Sequence, residues 1–148
     1  ASVTGGVYNC GDLTIDNSTV YQHISGRHAI YNWCGNVTIN SGNFDSISGN
    51  ELILADGTNA TVTINGGTFL NDGTVWTLNE NDANRGTITV YGGTFAGKLA
   101  TKLPDVLDEN FKAYETDEGV YEVISRWIAS VGETKYENLQ KAIDELKI

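Results

Sequence analysis

The sequence carries the octapeptide Val62-Thr63-Ile64-Asn65-Gly66-Gly67-Thr68-Phe69 and three further copies of it. Two copies are close, VTINSGNF at 37–44 and ITVYGGTF at 88–95, and a degenerate one is LTIDNSTV at 13–20. The copies begin at residues 13, 37, 62 and 88, so the successive steps are 24, 25 and 26 residues. A repeat of this length, made of short strands, indicates a solenoid whose turns stack on one another.

Within each copy, apolar residues alternate with threonine, which is the pattern of a strand with one buried face. We expect the apolar residues to point inward and the threonines outward. The glycine pair that follows, as at Gly66 and Gly67, marks a sharp bend, because glycine adopts positive φ without steric cost. The residues after the bend are expected to stack in the core as one column, namely Val20, Phe44, Phe69 and Phe95.

The composition of the 148-residue chain fits one all-β domain, or one such domain and a small appendage. It has 17 glycines, a single proline and no methionine, and 40% of its residues are hydrophobic, which is enough for a core. The formal net charge is −10, and such a field repels nucleic acid and anionic lipid. No apolar run approaches the roughly 18 residues of a spanning helix. We therefore predict no nucleic-acid partner and no membrane insertion.

The two cysteines, Cys10 and Cys34, precede the first two copies of the repeat by the same distance. Equivalent positions on adjacent turns lie about 4.8 Å apart, and a disulfide needs Cα atoms about 4.4 to 6.8 Å apart. A disulfide is therefore the candidate pairing, with two small buried thiols in a reduced protein as the alternative. The same alignment places Tyr8 opposite Asn32 and Asn9 opposite Trp33.

A second series of strands begins at Gly26, Gly49 and Gly73. Each turn of the solenoid therefore contains at least two strands. Aligning these glycines predicts two buried columns, one of Ala29, Leu52 and Trp76 and the other of Tyr31, Leu54 and Leu78.

The repeat stops after Phe95, and charged residues become frequent beyond the only proline, Pro104. We place the boundary there, with β-helix repeats in residues 1–104 and a small C-terminal segment in residues 105–148. That segment is predicted to form hairpins around residues 116–119 and 132–133. An amphipathic helix should follow, with its apolar side chains at Leu139, Ala142, Ile143 and Leu146. We expect this segment to cover the end of the solenoid or to belong to a following domain, since a bare end invites self-association.

The repeats, the sequence FKAYETDEGVYEVI at 111–124 and the tail IASVGETKYENLQKAIDEL at 128–146 resemble large repeat-bearing surface proteins of Gram-positive, often gut-dwelling, bacteria. That family folds as right-handed parallel β-helices of the pectin-lyase-like superfamily. The resemblance implies a short right-handed parallel β-helix, an extracellular location and a role as one module of a longer surface protein. Such a module either adheres to a host or bacterial glycan or protein, or acts as a stalk or spacer.

Two other functions are open at this point. Similar β-helices also occur in phage fibres, so a structural domain of a virion is one alternative. A polysaccharide lyase or glycoside hydrolase is the other, and these enzymes need clustered or paired carboxylates. Asp12 and Asp16 flank one strand, but Asn36 and Asn40 stand at the equivalent positions of the next turn. We therefore predict no enzyme, no catalytic residue and no cofactor.

Two loops, at 56–59 and 79–84, carry side-chain oxygens at close spacing. Calcium binding is one interpretation, because calcium prefers such ligands. The other is that Asn and Asp stabilise turns by bonding their own backbone. Neither loop matches a strong calcium motif, so we predict no metal site.

The candidate ligand-binding residues are Tyr21, His23, His28 and Trp33. They lie in the first full repeat, where the pattern is least regular, and departures from a pattern are where function is expected. Aromatic rings beside amide groups can bind the face of a sugar. For Tyr21 and Trp33 the alternative interpretation is a place in the core or at the solenoid end.

Overall fold

The computed structural model describes residues 1–47, 49–71, 75–80, 86–97 and 103–146. The protein is a β-solenoid of about three turns with a C-terminal helix, so the predicted fold is confirmed. The strands of successive turns pair in parallel and form three faces.

The first face, sheet A, contains five parallel strands, followed by an antiparallel hairpin at the C-terminal end. In spatial order its strands are β1 (Ser2–Thr4), β4 (Ser18–Gln22), β6 (Gly42–Ser46), β9 (Thr68–Asn71), β12 (Gly93–Ala96), β14 (Val120–Ser125) and β13 (Phe111–Asp117).

The other two faces share one long strand, β5 (Ile30–Ile39), which continues around a corner of the solenoid. Sheet B consists of β2 (Val7–Cys10), the first half of β5, β7 (Ile53–Ala55) and β10 (Leu78–Glu80). Sheet C consists of β3 (Leu13–Ile15), the second half of β5, β8 (Ala60–Ile64) and β11 (Thr87–Val90).

The core is built from columns of identical or similar side chains, as the repeat predicts. In sheet C, Ile39 pairs in register with Ile15 and Ile64, and all three are buried. In sheet A, the ring of Phe69 stacks on those of Phe44 and Phe95, with centroids 4.9 Å and 4.7 Å apart. Parallel pairing puts equivalent residues on adjacent strands, so each turn extends the columns of the turn before it.

The bend before the Phe column requires glycine, as predicted. Gly67 and Gly93 have φ angles of 116° and 119°. A Cβ on Gly67 would lie 3.1 Å from the carbonyl oxygen of Gly42 and 3.3 Å from the ring of Phe69. A side chain at this position would therefore meet both backbone strain and a close contact.

On the outer surface of the solenoid, polar side chains of adjacent turns form hydrogen-bonded ladders along sheet C. The Asn65 amide donates to Asn40 Oδ1 and the Asn40 amide donates to Asp16 Oδ1, each over 2.8 Å. Asp12 likewise accepts from the Asn36 amide over 2.8 Å. Asp12 and Asp16, the two carboxylates that flank one strand, are therefore the hydrogen-bond acceptors at the ends of these ladders.

The predicted columns of sheet B are partly wrong. Leu78 pairs with Ile53 and not with Leu54, and the buried column is Ile30, Ile53 and Leu78. Tyr31 does pair with Leu54, as predicted, but both are only partly buried and lie on the outer face. The step from Ile30 to Ile53 is 23 residues and that from Ile53 to Leu78 is 25, so the glycines do not keep register. Gly73, on which the alignment rested, lies outside the described residues.

The C-terminal end of the solenoid is covered by two elements. The first hairpin, predicted around residues 116–119, continues sheet A because β14 pairs antiparallel with β12. A short helix, α1 (Leu103–Val106), buries Leu103 and Val106, and Leu107 then forms a parallel bridge to Val90. This bridge is the last parallel contact of the described solenoid, and its residue Leu107 lies just beyond the predicted boundary at Pro104.

The remaining residues form the second predicted hairpin, β15 (Ala129–Val131) and β16 (Thr134–Tyr136), and the helix α2 (Leu139–Leu146). The helix packs on this hairpin. Ala142 is buried, whereas the other three apolar side chains of the predicted stripe, Leu139, Ile143 and Leu146, are exposed. Of the two described helices, neither has the length and apolar character needed to cross a membrane.

Candidate functional site

Aromatic side chains gather on the outer face of sheet B. Strand alternation buries Ile30 and Asn32 and turns Tyr31 and Trp33 outward. Tyr8 on β2 pairs in register with Tyr31, and their ring centroids are 5.1 Å apart. Trp33 lies 6.3 Å from Tyr31 between centroids. We call Tyr8, His28, Tyr31 and Trp33 the aromatic strip.

His28 joins the strip from the turn that precedes β5. Its ring stacks on Tyr31 at 5.3 Å between centroids, with 17° between the planes. Nδ1 of His28 lies 3.0 Å from the backbone oxygen of Glu51, and because a carbonyl only accepts, this contact requires the proton on Nδ1. The Glu51 carboxylate lies 3.5 Å away and also accepts from the Asn79 amide.

The strip borders a groove of about 530 Å³. Its walls include Tyr8, His28 and Tyr31, together with Ile24 and Arg27. Tyr8 is 65% exposed, and Ile24 is also largely exposed. The groove is therefore lined by aromatic rings, by the guanidinium group of Arg27 and by the backbone of several glycines.

Tyr31, at the centre of the strip, is held by its hydroxyl. That hydroxyl donates to Oδ2 of Asp56, which is itself buried. Partial burial and the bond to the neighbouring carboxylate raise the pKa of Tyr31 to about 12. The bond to Asp56 therefore holds the ring in place where it lines the groove.

Trp33 lies at a β-bulge in β5. Asn9 pairs with Asn32, but the next residue of β2, Cys10, pairs with Cys34. Trp33 is thus the extra residue of β5, and it is 43% exposed. The sequence alignment that placed Asn9 opposite Trp33 and Tyr8 opposite Asn32 is therefore wrong by one residue before the bulge, although it is right from Cys10 onward.

The predicted disulfide is confirmed. Cys10 and Cys34 are bonded, with their Cα atoms 4.5 Å apart. The bridge joins the strand that carries Tyr8 to the strand that carries Tyr31 and Trp33.

Beneath the strip lies a buried polar network that the sequence did not suggest. The Asn9 amide donates to Asn32 Oδ1 over 2.8 Å. The Asn32 amide donates to the backbone oxygens of Gly35 and Thr61, over 3.1 Å and 2.9 Å. Asn32 is completely buried, so these bonds satisfy backbone groups at the corner where β5 turns from sheet B to sheet C.

The four predicted ligand-binding residues fall into two groups. His28 and Trp33 both contact Tyr31 and belong to the strip. Tyr21 lies on β4 of sheet A, and its ring centroid is 3.7 Å from that of His23. Tyr8 and Tyr31 were not predicted to bind a ligand. They are identified by their pairing, because Tyr8 lies opposite Tyr31 and both occupy strand positions that are at least partly exposed.

The described residues contain no group of three His, Cys, Asp or Glu side chains that could hold a metal ion. In the 56–59 loop, Asp56 bonds Tyr31, and the amide of Ala60 donates to the Gly57 carbonyl, as in a turn. Residues 81–84 of the second loop lie outside the described part of the chain.

The chain matches no protein-family model, no curated protein and no solved structure. The interpretation of the site therefore depends on its geometry. Aromatic faces on fixed strands, flanked by carboxylate, amide and imidazole groups, can stack on flat apolar surfaces and exchange hydrogen bonds at their rims.

Proposed function

We propose that the protein is a non-catalytic, extracellular carbohydrate-binding module, and that the aromatic strip is its glycan-binding face. The observation that carries the proposal is the outward presentation of Tyr8, Tyr31 and Trp33, with the ring centroid of Tyr31 5.1 Å from that of Tyr8 and 6.3 Å from that of Trp33. Rings on neighbouring strands of a rigid sheet keep this spacing without a ligand, so binding costs little conformational entropy.

The chemistry of sugars fits this surface. A pyranose ring has an apolar C–H face, which packs on an aromatic ring, and a rim of hydroxyl groups, which need donors and acceptors. The groove places Arg27 and His28 beside the rings, and Glu51 next to His28. A neutral oligosaccharide suits the protein better than an acidic one, because the formal net charge of −10 repels anions.

An extracellular location is supported by the disulfide, since such bonds persist mainly in oxidising environments. It is also supported by the resemblance of the repeats to bacterial surface proteins. Within a surface protein, a module of this type attaches the cell to glycans of a host or of another bacterium.

A passive spacer is the second candidate, and the ladders of sheet C favour it. Asp16, Asn40 and Asn65 are bonded to one another along the axis, which suits a stiff rod without a ligand. In a spacer the aromatic strip would contribute nothing beyond local packing.

A glycan array separates the two functions. The wild-type protein should bind a restricted set of neutral glycans. Tyr8→Ala and Trp33→Ala should each weaken binding by at least about tenfold, the loss that follows from removing one aromatic anchor worth about 1.4 kcal/mol or more. Tyr114→Ala is the matched control, since Tyr114 is also an exposed aromatic residue, 48% accessible, but lies on β13. Absence of any glycan signal would favour the spacer.

A further inference from the structure

We propose that Gln22 is a positioning residue for the groove. Its buried side chain fixes the loop of residues 23–28, which carries the groove residues Ile24, Arg27 and His28. The importance of this role for ligand binding rests on the proposed function, whereas the positioning itself is a property of the free protein.

Gln22 is the last residue of β4 in sheet A, and its side chain is completely buried. Strand alternation turns Tyr21 outward and Gln22 inward. Burying an amide is costly unless its polar atoms are hydrogen-bonded. The burial of Gln22 therefore depends on its hydrogen-bond partners.

Two partners of the Gln22 side chain belong to the loop. The backbone amide of Ile24 donates to Oε1 over 2.8 Å, and Nε2 donates to the carbonyl oxygen of His28 over 2.9 Å. One partner is a donor and the other is an acceptor, so a neutral amide suits both, whereas an apolar side chain suits neither. The side chain thus ties the second residue of the loop to its last residue and sets the distance between them.

Gly6 leaves room for the bond between Gln22 and His28. A Cβ on Gly6 would lie 2.7 Å from Nε2 of Gln22 and closer still to the His28 carbonyl oxygen. Gly6 and His28 both line the groove. The bond therefore lies at the wall of the groove, where a larger residue in place of Gly6 would displace it.

The bond holds the backbone of His28, from which the imidazole extends onto the aromatic strip. The ring stacks on Tyr31 at 5.3 Å between centroids, and Nδ1 reaches the backbone oxygen of Glu51. Tyr8, by contrast, contacts Tyr31 from β2, which pairs directly with β5. Loss of the Gln22 bonds should therefore release His28 from Tyr31 and leave Tyr8 in place.

A later turn contains a related arrangement. Gln22 pairs in register with Ser46, and Ser46 pairs with Asn71. The Asn71 amide donates to the carbonyl oxygens of Val75 and Trp76, each over 3.2 Å. In both turns a side-chain amide at the end of a sheet A strand thus binds the backbone of the segment that leads into sheet B.

Gln22→Met tests the assignment in the free protein, because methionine keeps the length of the side chain but forms neither bond. NMR of this variant gives two readouts. The nuclear Overhauser effect between the rings of His28 and Tyr31 shows whether His28 stays on the strip, and the effect between Tyr8 and Tyr31 is the internal reference. Hydrogen exchange of the Ile24 amide reports its bond to Gln22.

Val90→Ala is the matched control. Val90 is a fully buried residue of β11, which lies two strands beyond β5 in sheet C. Its truncation lowers stability through the core and not through the loop. The variant should therefore keep the wild-type ring contacts and the wild-type exchange rate of the Ile24 amide.

In Gln22→Met, the effect between His28 and Tyr31 should disappear, while the effect between Tyr8 and Tyr31 stays unchanged. The Ile24 amide should exchange about tenfold faster, the factor expected for the loss of one hydrogen bond. If this variant fails to fold, exchange in the wild-type protein decides. Protection of the Ile24 amide by about tenfold or more would then support the assignment, and exchange as fast as in an unstructured peptide would overturn it.

Persistence of the effect between His28 and Tyr31 in Gln22→Met would overturn the assignment, as would unchanged exchange of the Ile24 amide. Loss of both ring contacts together, or the same changes in Val90→Ala, would also overturn it, because they indicate a general structural role. A protein that shows the selective change but binds no glycan would contradict the proposed function alone.

Discussion

Phe69 stacks on Phe95 with ring centroids 4.7 Å apart and planes inclined by 10°. Both rings are fully buried, and Phe69 has a second stacked neighbour in Phe44. The column runs along the axis of the solenoid, so it couples each turn to the next. Its middle member should contribute more to stability than any surface residue of the same strand.

Phe69→Ala is expected to lower the free energy of unfolding by about 3 to 5 kcal/mol, because it removes a buried ring and leaves a cavity. Urea denaturation followed by circular dichroism measures the change. Leu70→Ala is the control, since Leu70 is the next residue of β9 and is exposed, and it should stay within about 0.5 kcal/mol of wild type. A loss below about 1 kcal/mol for Phe69→Ala would contradict the assignment of the column to the core.

The buried amide of Asn32 should be more important than the exposed amides of sheet C. Asn32→Leu leaves the oxygens of Gly35 and Thr61 without this donor, and each unsatisfied buried group costs about 1 to 3 kcal/mol. Asn65→Ala removes one exposed ladder bond and should cost less than about 1.5 kcal/mol. Chemical denaturation of both variants compares them, and equal losses would show that the inner network has no special role.

The Tyr31 hydroxyl should lose its proton at a higher pH than an ordinary tyrosine. Its pKa is raised to about 12, above the ordinary value of 10.0, so the folded state favours the neutral phenol. This contribution to stability is complete below pH 10 and is lost as the pH rises through about 12. Absorbance of the phenolate measures the transition. Tyr31→Phe should remove it, and Asp56→Asn should move it toward pH 10, since the carboxylate is one of its causes.

The disulfide should stabilise the fold modestly. It closes a loop with a sequence separation of 24 residues, for which the chain-entropy estimate is about 3 kcal/mol. The Cys10→Ser/Cys34→Ser variant is therefore expected to lose up to about 3 kcal/mol and to remain folded. Mass spectrometry under non-reducing conditions checks the starting state, where two free thiols in oxidised protein would contradict the bridge.

The last hairpin and α2 should be dispensable for the solenoid. A chain that ends at Trp127 keeps the bond from its indole nitrogen to Asn110 Oδ1 and the pairing of β14 with β12. We expect it to remain monomeric in light scattering, with nearly unchanged stability. A chain that ends at Asn110 exposes the edge of β12 and should aggregate. Aggregation of the longer variant would show that α2 covers this solenoid.

The repeat made the main columns predictable, whereas the aromatic strip was only partly predictable. Phe69 and Ile64 follow a motif that recurs with its spacing intact, so their register could be inferred from the sequence alone. Trp33 could not be placed, because a bulge adds one residue without any mark in the side chains. Tyr31 was placed in the core by a different error, because its pairing with Leu54 was predicted correctly but the face of the strand was not. Asn32 was missed because asparagine ordinarily indicates a turn, and only the corner of β5 gives it a buried role.

Saturation-transfer NMR on the strongest ligand from the glycan array tests most directly whether the aromatic strip binds sugar. Irradiating the aromatic protons of the protein should transfer saturation to the C–H protons of the sugar ring. Transfer should be lost in Tyr8→Ala and Trp33→Ala and retained in Tyr114→Ala. Equal transfer in all four proteins, or an array without any ligand, would contradict the assignment of the strip as a glycan-binding face.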